Sequence, residues 1–276
     1  MFLRRVTAHV KTQNWFAVVL DFVIVVLGIL IAFQITNWND GRKAKAQLAE
    51  AETAIKSDLF LNYVWAKERL SLRTCRVEQL GQLSARLLEP GETWTGLPNG
   101  RDELGEARAI AQVLRSPNRP WGGRIWQAEL ARGTFIDMNS RQREDLDFVF
   151  KQAGDVETHQ TRITDLQSRL KVLSNSMELS RSDRLRYYDM VSEIDENSFW
   201  MELKASQLCS VIETLGLSYD EAELAILKPR VAEILDLELR RTQYGACVEP
   251  VTITLFESPG SEAAAGPSSC TISGFN

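Results

Sequence analysis

Residues 15–38, WFAVVLDFVIVVLGILIAFQITNW, constrain this chain more than any other stretch, because from Trp15 to Phe33 one acid, Asp21, is all that interrupts the apolar run. A helix from Trp15 to Thr36 covers about 33 Å at ~1.5 Å per residue, which matches a ~30 Å hydrocarbon core. Trp15 and Trp38 bracket the run where indole rings favour the headgroup region. The run is long for the apolar centre of a cleaved signal peptide, and residues 34–39 hold no small-x-small cleavage site. An uncleaved signal anchor is therefore expected, with residues 1–14 as a basic tail and 15–37 as a transmembrane helix.

Orientation is harder to read. Arg4, Arg5 and Lys11 precede the span, and Arg42, Lys43 and Lys45 follow it, so the flanking charges tie. The short basic tail favours the N-terminus in the cytoplasm and the rest of the chain in the periplasm. The tail can also lie along the bilayer surface, since Phe2, Leu3, Val6 and Val10 share one helical face.

Within the span, Ala17, Asp21, Val25, Gly28 and Ala32 fall on one stripe of a helical net. Gly28 and Ala32 form a small-xxx-small pair that lets another helix approach closely. A carboxylate at the centre of a membrane helix costs roughly 2.5–3.5 kcal/mol, less near an end, so Asp21 should face protein or water. Three roles follow: a protonated or paired acid inside a helix contact, a proton-relay acid, or an acid near enough to the headgroups to stay wet.

Phe2–Val10, the pair Asn14-Trp15, the block from Asp21 to Val26 with Gly28, and Gln34 to Asn39 resemble a family of bacterial single-pass inner-membrane proteins. Their membrane helix ends in an Asn-Trp-Asn signature, here Asn37, Trp38 and Asn39, and a helical domain follows. Trp126–Gly133 and the helix start at Arg141–Phe150 look like a second family feature. The resemblance implies an inner-membrane anchor. The family brings no established activity, so no catalytic residue comes with it.

The remainder reads as all-α: a helical domain over 38–249 and a short irregular tail over 250–276. With 44% hydrophobic residues the chain can build a core, and sixteen glycines and eight prolines are too few for a disordered one. The net charge is −5 although the first turns are basic, so the domain repels phosphates and no nucleic-acid partner is expected. Residues 42–88 are rich in helix formers, with Leu48, Ala51, Ile55, Leu59, Asn62 and Ala66 at 3/4 spacing. Asn39-Asp40-Gly41 either breaks this helix from the span or is absorbed by it, and Pro90-Gly91 stops it. A further helix is expected over 102–115. The loop SPNRPWGG at 116–123 either presents Trp121 as a binding surface or tucks it into the core.

Asn139 or Ser140 should cap a long helix whose seam runs through Val156, His159, Ile163, Leu166, Leu170, Leu173 and Met177, suiting a coiled-coil-like antiparallel partner inside a bundle or a dimer. A second long helix should reach Leu215 and end at Gly216. A capping box at Ser218–Glu221 should start another, which Pro229 kinks or splits. Val251, Ile253 and Leu255 alternate like a short strand.

Chemistry is sparse. His159 suits a packed, hydrogen-bonded seam position, and His9 is its only fellow, so no zinc cluster is expected. Asp145/Asp147 and Asp195/Glu196 read as solvated faces. No nucleotide, hydrolase or metalloprotease motif occurs, no cofactor is implied, and no small-molecule substrate is evident. Cys75, Cys209, Cys247 and Cys270 lack CxxC spacing. They should pair if exported, with Cys75–Cys209 and Cys247–Cys270 expected, and stay free in the cytoplasm. The function expected is a non-catalytic membrane-anchored scaffold, accessory subunit or sensor-like partner. It would act on the bilayer and on a second copy or another membrane protein. The alternative is an ion-driven, stator-like subunit using Asp21.

Overall fold

The computed structural model describes residues 15–99, 110–253 and 270. They are all-α, with seven helices and one two-residue strand pair. The chain divides into two units, up to Ala51 and from Glu52 onward, and helix α1, Trp15–Ser71, contributes to both.

In the first unit α1 is continuous through Asn39-Asp40-Gly41. Gly41 costs helix about 1 kcal/mol relative to alanine, but helix formers flank it and no proline follows. Its apolar residues are exposed, Phe16, Phe22, Phe33 and Trp38 among them.

In the second unit residues 59–69 of α1 are buried on every side. This stretch is the axis of the bundle rather than a helix with one apolar face. α2, Arg73–Leu88, follows after a break at Leu72 and stops at Glu89, before Pro90. α3, Arg124–Arg132, ends at Gly133, whose φ of 75° is the left-handed conformation a C-terminal cap requires. α4, Ser140–Leu170, is capped by Asn139, whose side chain accepts from the Arg141 N–H. It buries Leu146, Val149, Ala153, Val156, Ile163, Leu166 and Leu170 at 3/4 spacing. α5, Arg181–Thr214, starts at the Ser180 cap, buries Met201, Ala205, Leu208 and Ile212, and is followed by Gly216 at φ 61°.

α4 and α5 are antiparallel: Asp155 meets Lys204, His159 meets Asn197, and Arg162 meets Glu193. The link between them carries a strand, Met177–Glu178, which pairs antiparallel with Thr93–Trp94. Trp94 is 1% exposed there and donates its indole N–H to the Leu173 carbonyl at 2.8 Å. Gly96 is required beside it, because a Cβ would collide with the Ser174 carbonyl. α6, Glu221–Leu235, and α7, Leu237–Tyr244, complete the unit.

Several expectations are corrected. Residues 110–115 form only a 3-10 turn at Gln112–Leu114, and 102–109 lie outside the described residues. α4 stops at Leu170, so Leu173 and Met177 continue its seam from a 3-10 turn and a strand. The capping box is Asp220 with Glu223, two residues later than expected, and α6 runs through Pro229 without splitting. Residues 251–253 form no strand, although Ile253 is buried, and Leu255 lies outside the described residues.

The disulfides are also re-paired. Cys75 joins Cys247, and Cys209 joins Cys270, rather than Cys75–Cys209 and Cys247–Cys270. α2 brings Cys75 against the turn after α7, where Leu72, Val248 and Tyr244 pack around it, while Cys209 lies on α5. The chain's return past α2, rather than proximity in sequence, selects the partners.

Candidate functional site

In the first unit Asp21, Val25, Gly28 and Ala32 are exposed, and a Cβ placed on Gly28 meets nothing within 4 Å. The side chains of Trp15 and Ala17 lie outside the described residues. Asp21 has no cationic partner among the described residues. The Arg42 guanidinium sits 5.3 Å from the centre of the Trp38 ring, which places a cation and an indole together at one end of the apolar run. The helix is long enough to cross a membrane, its 18-residue apolar window is unburied, and this is the only such helix among the described residues.

The second unit holds an unusual amount of buried charge, and the reason is a strap. Residues 110–123 have little regular structure yet cross the core, so neighbouring side chains must satisfy their backbone groups. Asn62 does so twice for Gly122, accepting its N–H at 2.8 Å and donating to its carbonyl at 3.2 Å. Gln160 accepts the Arg119 N–H and donates to the Arg119 carbonyl, both at 2.9 Å. Gln167 donates to the Leu114 carbonyl and Arg69 to that of Pro117. Glu68 takes the Arg119 side chain in a two-pronged pair at 2.7 and 2.8 Å. Trp121 is tucked inward, 6% exposed and edge-on to Trp65.

On the other side of the strap Glu202, 1% exposed, accepts two bonds from Arg76 at 2.6 and 2.9 Å and lies 3.9 Å from Arg73. Arg69 and Arg240 are also buried. Burial holds both guanidiniums below the usual arginine range, while Glu68 opposes that shift. Asp58, against Gly122, has its carboxyl raised by burial, which the charge of Arg230 partly offsets. These groups hold the strap; none forms a nucleophile, base and orienting acid in sequence.

His159 shares a 2.9 Å hydrogen bond with Asn197, as its packed position implied. Asp195 and Glu196 are exposed, as a solvated face implies, although Asp195 also pairs with Arg76, whereas Asp145 is half-buried and Asp147 accepts from the Trp126 indole. Cys209, Glu213 and Cys270 converge, but the two sulfurs are bonded to each other and Glu213 accepts from the Tyr63 hydroxyl and pairs with Lys67. That cluster closes the end of α5 rather than offering an open coordination site.

One feature had no sequence signal strong enough to find it. A cleft of about 510 Å³ lies among Ile55, Leu59, Phe135, Leu146, Leu215 and Leu217, with Lys56, Arg141 and Asp145 in its lining. The hint was two apolar residues, Phe135 and Met138, in the turn between α3 and α4.

Comparison of the chain with protein-family profiles, with curated proteins and with solved structures finds no match in any of the three.

Proposed function

We propose that this chain is a single-pass bacterial inner-membrane protein, N-terminus in the cytoplasm, whose folded unit lies in the periplasm and serves as a scaffold, accessory subunit or sensor-like partner of an envelope complex. The observation that carries the reading is a pairing of opposites in one chain. An apolar helical run stays unburied, which water does not tolerate, and all four cysteines are joined in disulfides, which a reducing cytoplasm does not maintain. The anchor is also the recruiting element. Its stripe of Asp21, Val25, Gly28 and Ala32 offers a close-approach surface and an acid that a partner helix can shelter.

The test is co-purification of the full chain from membranes in mild detergent. Filling a close helix contact costs about 1–3 kcal/mol, so Gly28→Ile should reduce the recovered partner or self-associated form roughly tenfold while leaving insertion intact. Asp21→Asn should impair assembly in the same way. Unchanged assembly in both variants contradicts the scaffold reading. If Asp21→Asn alone preserves assembly yet abolishes a phenotype driven by the proton-motive force, the stator-like alternative replaces it.

A further inference from the structure

The turn between α3 and α4 sets an apolar knob beside an apolar hole. Ile136 is 77% exposed, the most exposed large hydrophobic side chain described outside the apolar run of α1. A lone exposed isoleucine is ordinary on a protein surface, but this one stands on a pinned turn. The Ile136 N–H donates to the Gly133 carbonyl, the Met138 N–H to that of Phe135, and Arg143 also donates to the Phe135 carbonyl. The Phe135 ring is stacked on Trp126 with centres 5.2 Å apart. Phe135 is thereby held inward and its neighbour outward, without the ordering cost that a loose loop carries into a contact. Phe135 and Met138, from the same turn, line the cleft described above. Its floor of Ile55, Leu59, Phe135 and Leu146 is already buried, so the apolar surface left to a guest lies on half-buried Met138, Leu215 and Leu217. A single aliphatic side chain suffices to cover it.

We infer that the cleft receives Ile136 from a second copy of this chain, in a two-fold contact where the knob of each copy fills the hole of the other. A knob and a hole side by side on one surface are self-complementary under a two-fold axis, and such a contact closes at two copies. The charges agree. Exposed Arg141 stands among exposed Glu52 and Asp137 and half-buried Asp145, while Lys56 is committed to Glu223. A two-fold axis therefore sets the cation of each rim toward the acids of the other, which favours this pairing and its register. One turn and one cleft fall short of the roughly 800 Å² per partner of a stable interface. The contact is weak by itself and depends on the membrane to hold the copies at high local concentration. To that extent it rests on the anchored reading above and adds to it a second, separate surface for self-association.

Photo-crosslinking of the full chain in intact cells reads the contact directly. With Ile136 replaced by photoreactive benzoylphenylalanine, irradiation should give an adduct of twice the chain mass that survives reductant. Peptide mapping should join position 136 to residues 52–59, 135–146 or 214–217 of the second copy. Sedimentation of the full chain in mild detergent gives the strength. Ile136→Asp should raise the dissociation constant of the dimer at least roughly tenfold, the value of burying an isoleucine, and should leave the unfolding midpoint unchanged because the side chain is exposed. The same loss is expected in the Gly28→Ile background, where the close approach of the anchors is blocked. A loss with Ile136→Asp but none with Gly28→Ile would remove the anchor as a recruiting surface and leave this one standing. No adduct, an adduct only to a different protein or to residues outside the cleft, or an unchanged dissociation constant in Ile136→Asp overturns the proposal.

Discussion

Replacing Cys75 and Cys247 together by serine is expected to destabilise the folded unit by about 5 kcal/mol, because chain-entropy arguments assign that size to loops of this length. The two residues are 172 apart, and their bond joins α2 to the segment after α7. Hydrogen bonds also hold that segment: Gln79 donates to the Tyr244 carbonyl, the Glu249 N–H to the Ser71 carbonyl, Thr74 to the Glu249 carboxylate and Arg240 to the Glu249 carbonyl. A loss of 5 kcal/mol corresponds to a fall of roughly 10–20 °C in the unfolding midpoint. Reductant opens both bonds, so it should produce a larger fall in the unsubstituted chain than the double substitution does, and a smaller one in the double variant, which keeps only Cys209–Cys270. That second bond spans 61 residues, and its removal should cost about 1 kcal/mol less. A fall below 2 °C on removing Cys75–Cys247 contradicts its role as the closing tie.

Glu202→Gln should cost about 3–5 kcal/mol, the range for removing one partner of a buried pair. The amide can keep one hydrogen bond to Arg76, but it leaves the charges of Arg73 and Arg76 without their common carboxylate. Asp195 cannot take over, since half of its side chain is in water. The control is Glu193→Gln, which breaks the exposed pair with Arg162. That pair is screened by solvent and should be worth less than about 1 kcal/mol. Denaturant midpoints of the two variants measure the contrast. Equal losses would mean that burial does not set the value of these charges.

The apolar stripes of α4 and α5 were legible because each helix presents one face to the bundle, so their spacing records their burial. The centre of α1 was not. Leu59, Asn62 and Ala66 read as one stripe, but Tyr63, Lys67, Glu68 and Arg69 on the other faces are buried too. Polar residues enter that core because the strap needs partners, and the strap is irregular, so no periodicity announces it. Asn62 and Glu68 look like surface residues until Gly122 and Arg119 are placed beside them. Helix ends were legible where chemistry marks them, as at Asn139 and Gly216. The capping box was displaced because Ser218 and Asp220 both suit the role, and only Asp220 reaches the N–H three residues on. Disulfide partners were not legible, because α2 and the turn after α7 meet only through the tertiary fold.

The placement of the folded unit on the oxidising side of a membrane is tested most directly by the state of its cysteines in the cell. Thiols are alkylated in intact cells before lysis, and the full chain is recovered from membranes without reductant for mass spectrometry. The expected result is an unalkylated chain with Cys75 linked to Cys247 and Cys209 linked to Cys270. Four alkylated thiols, or a chain recovered in the soluble fraction, would contradict it.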